Sequence, residues 1–105
     1  MKTLHLPLKK EWYEMIERGE KTEEYRALSD YWYSRLVTID RNASENSDVE
    51  WHLWESYRFT HVKFSYGYTK RTMTFECKGI TIGQGRTEWG APQEPVFIIK
   101  LGKRV

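Results

Sequence analysis

The chain opens with a two-residue alternation: Leu4 and Leu6 against Thr3 and His5 across Lys2 to Leu6, the pattern of a half-buried strand. Pro7 breaks that pattern and leads into a predicted helix from about Leu8 to Arg18. Its apolar set, Leu8, Trp12, Met15 and Ile16, recurs at helical spacing and should face a core. Gly19 stands where a left-handed cap residue ends a helix. Lys21 to Arg26 then reads as a short polar strand, unusual in that four of its six residues are charged. Ser29 and Asp30 can cap a second helix, Tyr31 to Val37, that buries some of Trp32, Tyr33 and Leu36. Asp40 to Glu50 is rich in Asn, Ser, Asp and Glu and reads as a loop, and Trp51 to Tyr57 is aromatic without a clear period. Two alternating stretches follow, Phe59 to Tyr66 and Arg71 to Ile82, with Gly67 at the turn of a hairpin. After the bend Gly83-Gln84-Gly85, the run Val96 to Leu101 is a closing strand.

Strands dominate and two helices lie near the start. This predicts an α+β fold over a single domain, residues 1–105: a small, closed or nearly closed, mostly antiparallel β-barrel with helices at its rim. Hydrophobic residues make up 39% of the chain, but aromatics reach 15%, so a few large rings can supply much of the buried area. A formal net charge of +2 permits a nucleic-acid partner without announcing one. Cys77 is the only cysteine, which excludes an internal disulfide and a thiolate metal cluster. With no apolar run of membrane-spanning length and no signal-type apolar core at the N-terminus, a cytoplasmic location and no membrane partner are expected.

The densest chemistry is Gly19-Glu20-Lys21-Thr22-Glu23-Glu24-Tyr25-Arg26. On a strand Glu24 and Arg26 share a face with Thr22, while Lys21 sits at the corner. A cation, a carboxylate and a guanidinium in so short a span can read donors and acceptors on a base edge. They equally suit an exposed edge strand kept from aggregating by its charge. Glu76 stands mid-strand and needs a partner if buried, or belongs to the solvent face with Thr72 and Thr74. Trp89, beside Glu88, can stack a base at a pocket mouth or close one end of a barrel. His5, His52 and His61 lack metal-type spacing, and Gly83-Gln84-Gly85 lacks the lysine of a phosphate-binding loop; no metal and no cofactor are expected.

The motif Gly19-x-Lys21-x-x-Glu24-x-Arg26, preceded by Lys9-Lys10-Glu11-Trp12-Tyr13, resembles the signature of ASCH domains, a branch of the PUA-like superfamily. The resemblance extends through Thr74-Phe75-Glu76-Cys77-Lys78-Gly79 to the final Val96-Phe97-Ile98-Ile99-Lys100-Leu101. It implies a PUA-like barrel with a cleft between barrel and helices, and RNA-related roles. One bacterial branch with a similar motif hydrolyses acetylated cytidine through a threonine three positions after the lysine. Here Glu24 occupies that place and Thr22 lies one strand repeat away, so the nucleophilic mechanism does not transfer. Other members of the family act as ribonucleases.

The expected function is an RNA- or nucleobase-binding module whose polar cleft uses Lys21, Glu24, Arg26, Glu76 and Trp89, with Lys21 paired to Glu24 or Glu76. The alternative is a small hydrolase acting on a modified nucleoside of the acetylcytidine type, or on RNA phosphodiesters. In that case Lys21 and Glu24 would be catalytic, Glu24 as a general base for water.

Overall fold

A computed structural model describes residues 2–36 and 59–105; the expected loop and aromatic segment, together with Val37, lie outside the described residues. The elements run β1 (Thr3–Leu8), α1 (Lys10–Glu17), β2 (Glu23–Arg26), α2 (Asp30–Leu36), β3 (His61–Tyr66), β4 (Thr72–Gly83), a single 3-10 turn (Thr87–Trp89) and β5 (Val96–Arg104). The strands form one curled, half-barrel sheet in the order β1-β3-β4-β5-β2. β1 pairs with β3 in parallel, and the other three pairings are antiparallel. The α+β, mostly antiparallel expectation therefore holds, but the sheet curls only halfway to a barrel, and β1 and β2 are its two edges.

β4 is the strand that makes the sheet curl. Its first half pairs with β3 (Glu76 opposite His61) and its second with β5 (Ile80 opposite Ile99). Between them lie two register shifts, bracketing Cys77, and Gly79 at φ +145°. A bulge of this kind bends a strand and resets its inward phase. Met73 and Phe75 face the core before it and Ile80 after it, so the odd-numbered alternation visible in the sequence does not continue to the strand's end.

The main core gathers Leu4, Leu6, Tyr13, Ile16, Leu36, Val62, Phe64, Phe97 and Ile99, with Tyr13 meeting Tyr66 edge to face at 5.2 Å. A second, smaller cluster, Tyr25, Ala91, Val96 and Ile98 with Trp89 against it, covers the opposite face of β5. β5 is thus buried on both sides, which is why Val96-Phe97-Ile98-Ile99 is a continuous apolar run rather than an alternation. The segment between β4 and β5 supplies the outer cover, and it is this segment that reaches the site described below.

Two sequence expectations are corrected near the N-terminus. Pro7 does not end the first strand: β1 continues to Leu8, because on an edge strand a residue without an N–H removes no necessary ladder bond. Leu8 is consequently a strand residue, and α1 begins two residues later than expected. The helix buries Tyr13 and Ile16, whereas Trp12 is half-buried and turned away toward a cleft. The cap does fall at Gly19, whose φ of +82° lets Glu20 and Lys21 both donate their backbone N–H to the Met15 carbonyl.

Truncating Phe64, fully buried between the two layers, should cost about 3–5 kcal/mol on Phe64→Ala. Glu76→Ala, on an exposed position of the same sheet, should stay within about 0.5 kcal/mol. Urea unfolding followed by tryptophan fluorescence measures both.

Candidate functional site

The tight reversal at Gly19 carries Lys21 under the helix it has just left. Its side chain is 1% exposed, an extreme value for a lysine. The Lys21 ammonium donates to Glu24 Oε1 at 2.9 Å and to the Trp89 carbonyl at 2.8 Å. It also lies 4.8 Å from the centre of the Trp12 ring and 5.3 Å from that of Tyr25, within range of favourable cation–π contact. Burial pushes the Lys21 ammonium below its ordinary pKa of 10.5, even with the Glu24 carboxylate pulling the other way.

Glu24 is held as firmly. Its Oε1 also accepts the Tyr25 backbone N–H at 2.9 Å, so that oxygen serves two donors and the carboxylate cannot swing. The second oxygen, Oε2, faces the Arg26 guanidinium at 3.5 Å. Arg26 in turn donates to the Tyr25 carbonyl at 2.7 Å and reaches the Pro7 carbonyl of β1 at 3.5 Å. It therefore spans the two sheet edges, with a side chain where a closed barrel would have a backbone ladder.

At this seam lies a cleft of about 280 Å³ with Trp12, Trp89, Glu24, Arg26 and Lys9 among its walls. That is near the lower end of ligand pockets, about 300–1,000 Å³. The loop before β5 forms one wall and is locked in place. Gly90 takes the left-handed conformation (φ +95°), and a Cβ there would stand 2.8 Å from the Trp12 ring. A Cβ on Gly85 would stand 2.6 Å from the Ala91 Cβ and 2.7 Å from the Tyr25 ring. The Tyr25 hydroxyl donates to Glu23 and accepts the Arg86 backbone N–H, and burial raises its pKa to about 12. These contacts aim the Trp89 carbonyl at Lys21.

Of the residues singled out from sequence, Lys21, Glu24, Arg26 and Trp89 come together. Lys21 pairs with Glu24, not Glu76. The structure leaves Glu76 apart: it is exposed on β4, opposite His61 in register, and lines no part of the cleft. Trp89 contributes its carbonyl to Lys21, and its ring lies under the Arg86 guanidinium at 4.6 Å. Trp12, Tyr25, Gly90 and the Pro7 carbonyl are cleft features that sequence reasoning missed. The one available signal was Gly-Ala-Pro directly after Trp89, a turn-forming run with an apolar centre. Among the described residues no group of three or more His, Cys, Asp or Glu side chains is placed to hold a metal ion. No helix among them is long and apolar enough to cross a membrane.

The resulting cleft sets the Arg26 guanidinium beside Glu24 Oε2, with Trp12 and Trp89 also among its walls, while Lys21 lies behind it as a positioning residue. A buried pair that loses one partner leaves an uncompensated charge, which typically costs about 3–5 kcal/mol. Lys21→Met should therefore destabilise the fold by that amount, and Glu24→Gln added to it should restore a large share. Chemical denaturation of the two single variants and the double variant checks the coupling. No protein-family model, curated protein or solved structure matches this chain, so the cleft is read from its own geometry.

Proposed function

We propose that the chain is an RNA- or nucleobase-binding module of the ASCH type, in the PUA-like group of folds, and that the seam cleft is its binding site. The observation that carries this reading is the buried Lys21–Glu24 ion pair, whose Glu24 lines a cleft together with Arg26, Trp12 and Trp89 while Lys21 lies behind it. Buried ion pairs contribute little net stability compared with apolar residues of the same volume. Their use here is to hold one carboxylate oxygen and the adjacent guanidinium at fixed positions. A flat heterocycle whose edge carries both an acceptor and a donor suits that pairing, since Arg26 can donate and Glu24 Oε2 can accept. The indoles of Trp12 and Trp89 supply apolar faces for its ring. The half-barrel sheet with two helices is compatible with a small barrel-like fold.

A hydrolase is the second reading, favoured by the buried Lys21 amine standing 2.9 Å from the Glu24 carboxylate, where burial pushes its pKa down and so eases proton transfer. Against it, the hydroxyl used by acetylcytidine-hydrolysing proteins of similar motif is replaced by Glu24, and Glu24 Oε1 is already engaged by two donors.

Binding of single-stranded RNA should weaken only gently with salt, because few cations converge on the cleft. Arg26→Gln should lower affinity about tenfold, as expected for a lost charged hydrogen bond. Lys21→Ala, which frees Glu24 from its buried partner, should lower it by a similar factor at a temperature where the variant is folded. Lys103→Ala, at an exposed position near the chain end, should change it less than about twofold. Filter-binding titrations at two salt concentrations test this, and equal losses for all three would mean non-specific charge attraction. On acetylcytidine, chromatography should find no turnover by the natural chain. Robust turnover that disappears in Lys21→Ala would make the enzyme reading correct.

A further inference from the structure

The cleft does not end at Arg26. Beyond it the wall continues into a second recess of about 400 Å³, and Tyr25, Arg26 and Gly90 line both spaces. The chemistry changes across that boundary. The first space is lined by Glu24, which is held from behind by Lys21, and by Trp12 and Trp89. The second is walled by Ala27, Leu28, Pro92, Pro95 and Val96, with a single carboxylate, Glu94, at an exposed position. Leu28 is 37% exposed, one of the few large apolar side chains left open on the described surface.

Between the two recesses stands one fixed cation. The Arg26 guanidinium is 18% exposed and carries five N–H donors. Among the described residues its hydrogen bonds are to the Tyr25 and Pro7 carbonyls, which hold the group in place without using up its donors. Past Arg26 the strand ends and the chain turns at Leu28, where the Ser29 backbone N–H donates to the Ala27 carbonyl at 2.9 Å, and Ala27 and Leu28 line the second recess at that turn. The recess, at about 400 Å³, is within the size range of small-ligand pockets and has room for one base.

We propose that the second recess is a subsite for the neighbouring nucleotide, and that the site as a whole takes a dinucleotide step of single-stranded RNA, with Arg26 on the linking phosphodiester. This rests on the base-binding reading of the first cleft. One base is read at its edge by Glu24 and Arg26. The next is accepted for its apolar faces by Leu28, Pro92 and Pro95, a contact that does not discriminate strongly between bases. The monoanionic link falls beside the Arg26 guanidinium, and a charge-assisted hydrogen bond there is of the stronger kind.

The test is isothermal titration of the natural chain with the four ribonucleoside 3′-monophosphates and the sixteen dinucleoside monophosphates. At least one dinucleoside monophosphate should bind ten times or more tighter than the better of its two component 3′-monophosphates. Leu28→Asp, at a partly exposed position the fold tolerates, should remove that gain while leaving the mononucleotide Kd within about twofold. If mononucleotides bind, lose affinity in Arg26→Gln, and dinucleotides gain nothing, the second subsite is refuted and the first cleft stands. A gain that survives Leu28→Asp likewise overturns the subsite. If neither class binds, the base-binding reading falls and takes this one with it.

Discussion

A lysine ammonium that is almost wholly out of water has to be met by acceptors on every accessible side, and in this protein the answer to that demand organises one end of the molecule. Lys21 is carried inside by the left-handed turn at Gly19, and three different segments converge on it: Glu24 from β2, the Trp89 carbonyl from the loop before β5, and the Trp12 ring from α1. Each of these contacts constrains its own element. The carboxylate is turned inward on a strand, the loop presents a backbone oxygen, and the helix gives one large ring to the cleft rather than to the core. Burial pushes the lysine's pKa below its ordinary value, even against the pull of the Glu24 carboxylate.

The open sheet makes such a site possible. A closed barrel would satisfy both edges with a backbone ladder and leave no room between them. Here the Arg26 side chain reaches from β2 to β1, where a proline carbonyl is available to it. The bulged, two-part β4 sets the curl that brings these edges near each other without closing them. Polar groups at the seam are then shielded from bulk water on most sides and still reachable from one, the condition under which hydrogen-bond recognition is strongest.

Stability and recognition draw on different parts of the chain. The main core, with Val62, Phe64, Phe97 and Ile99 fully buried, lies within the curl of the sheet and under α1. The smaller cluster around Tyr25, Val96 and Ile98 serves mainly to clamp the loop that carries Trp89 and Gly90. Close approaches at Gly85 and Gly90 keep that clamp tight, since neither position has room for a methyl group.

Much of this was legible in the residues themselves. Period-two alternation located β3 and most of β4, the apolar run Val96 to Leu101 marked the closing strand β5, and Gly19 marked the helix end, because these features follow from local geometry and burial. The density of charge from Lys21 to Arg26 likewise identified where chemistry lies, since that composition is unfavourable in an ordinary strand. What local pattern leaves open is which charge is met by which partner. Glu24 and Glu76 were equivalent on paper; only the curl of the sheet placed one against Lys21 and left the other in solvent. The Trp89 carbonyl was invisible because a backbone oxygen has no sequence signature. Trp12 and Tyr13, adjacent on one helix, exchanged roles because β1 ran on through Pro7 and moved the helix start. A strand's register and a helix's rotation are settled by long-range packing, and the sequence holds that information only through the folded whole.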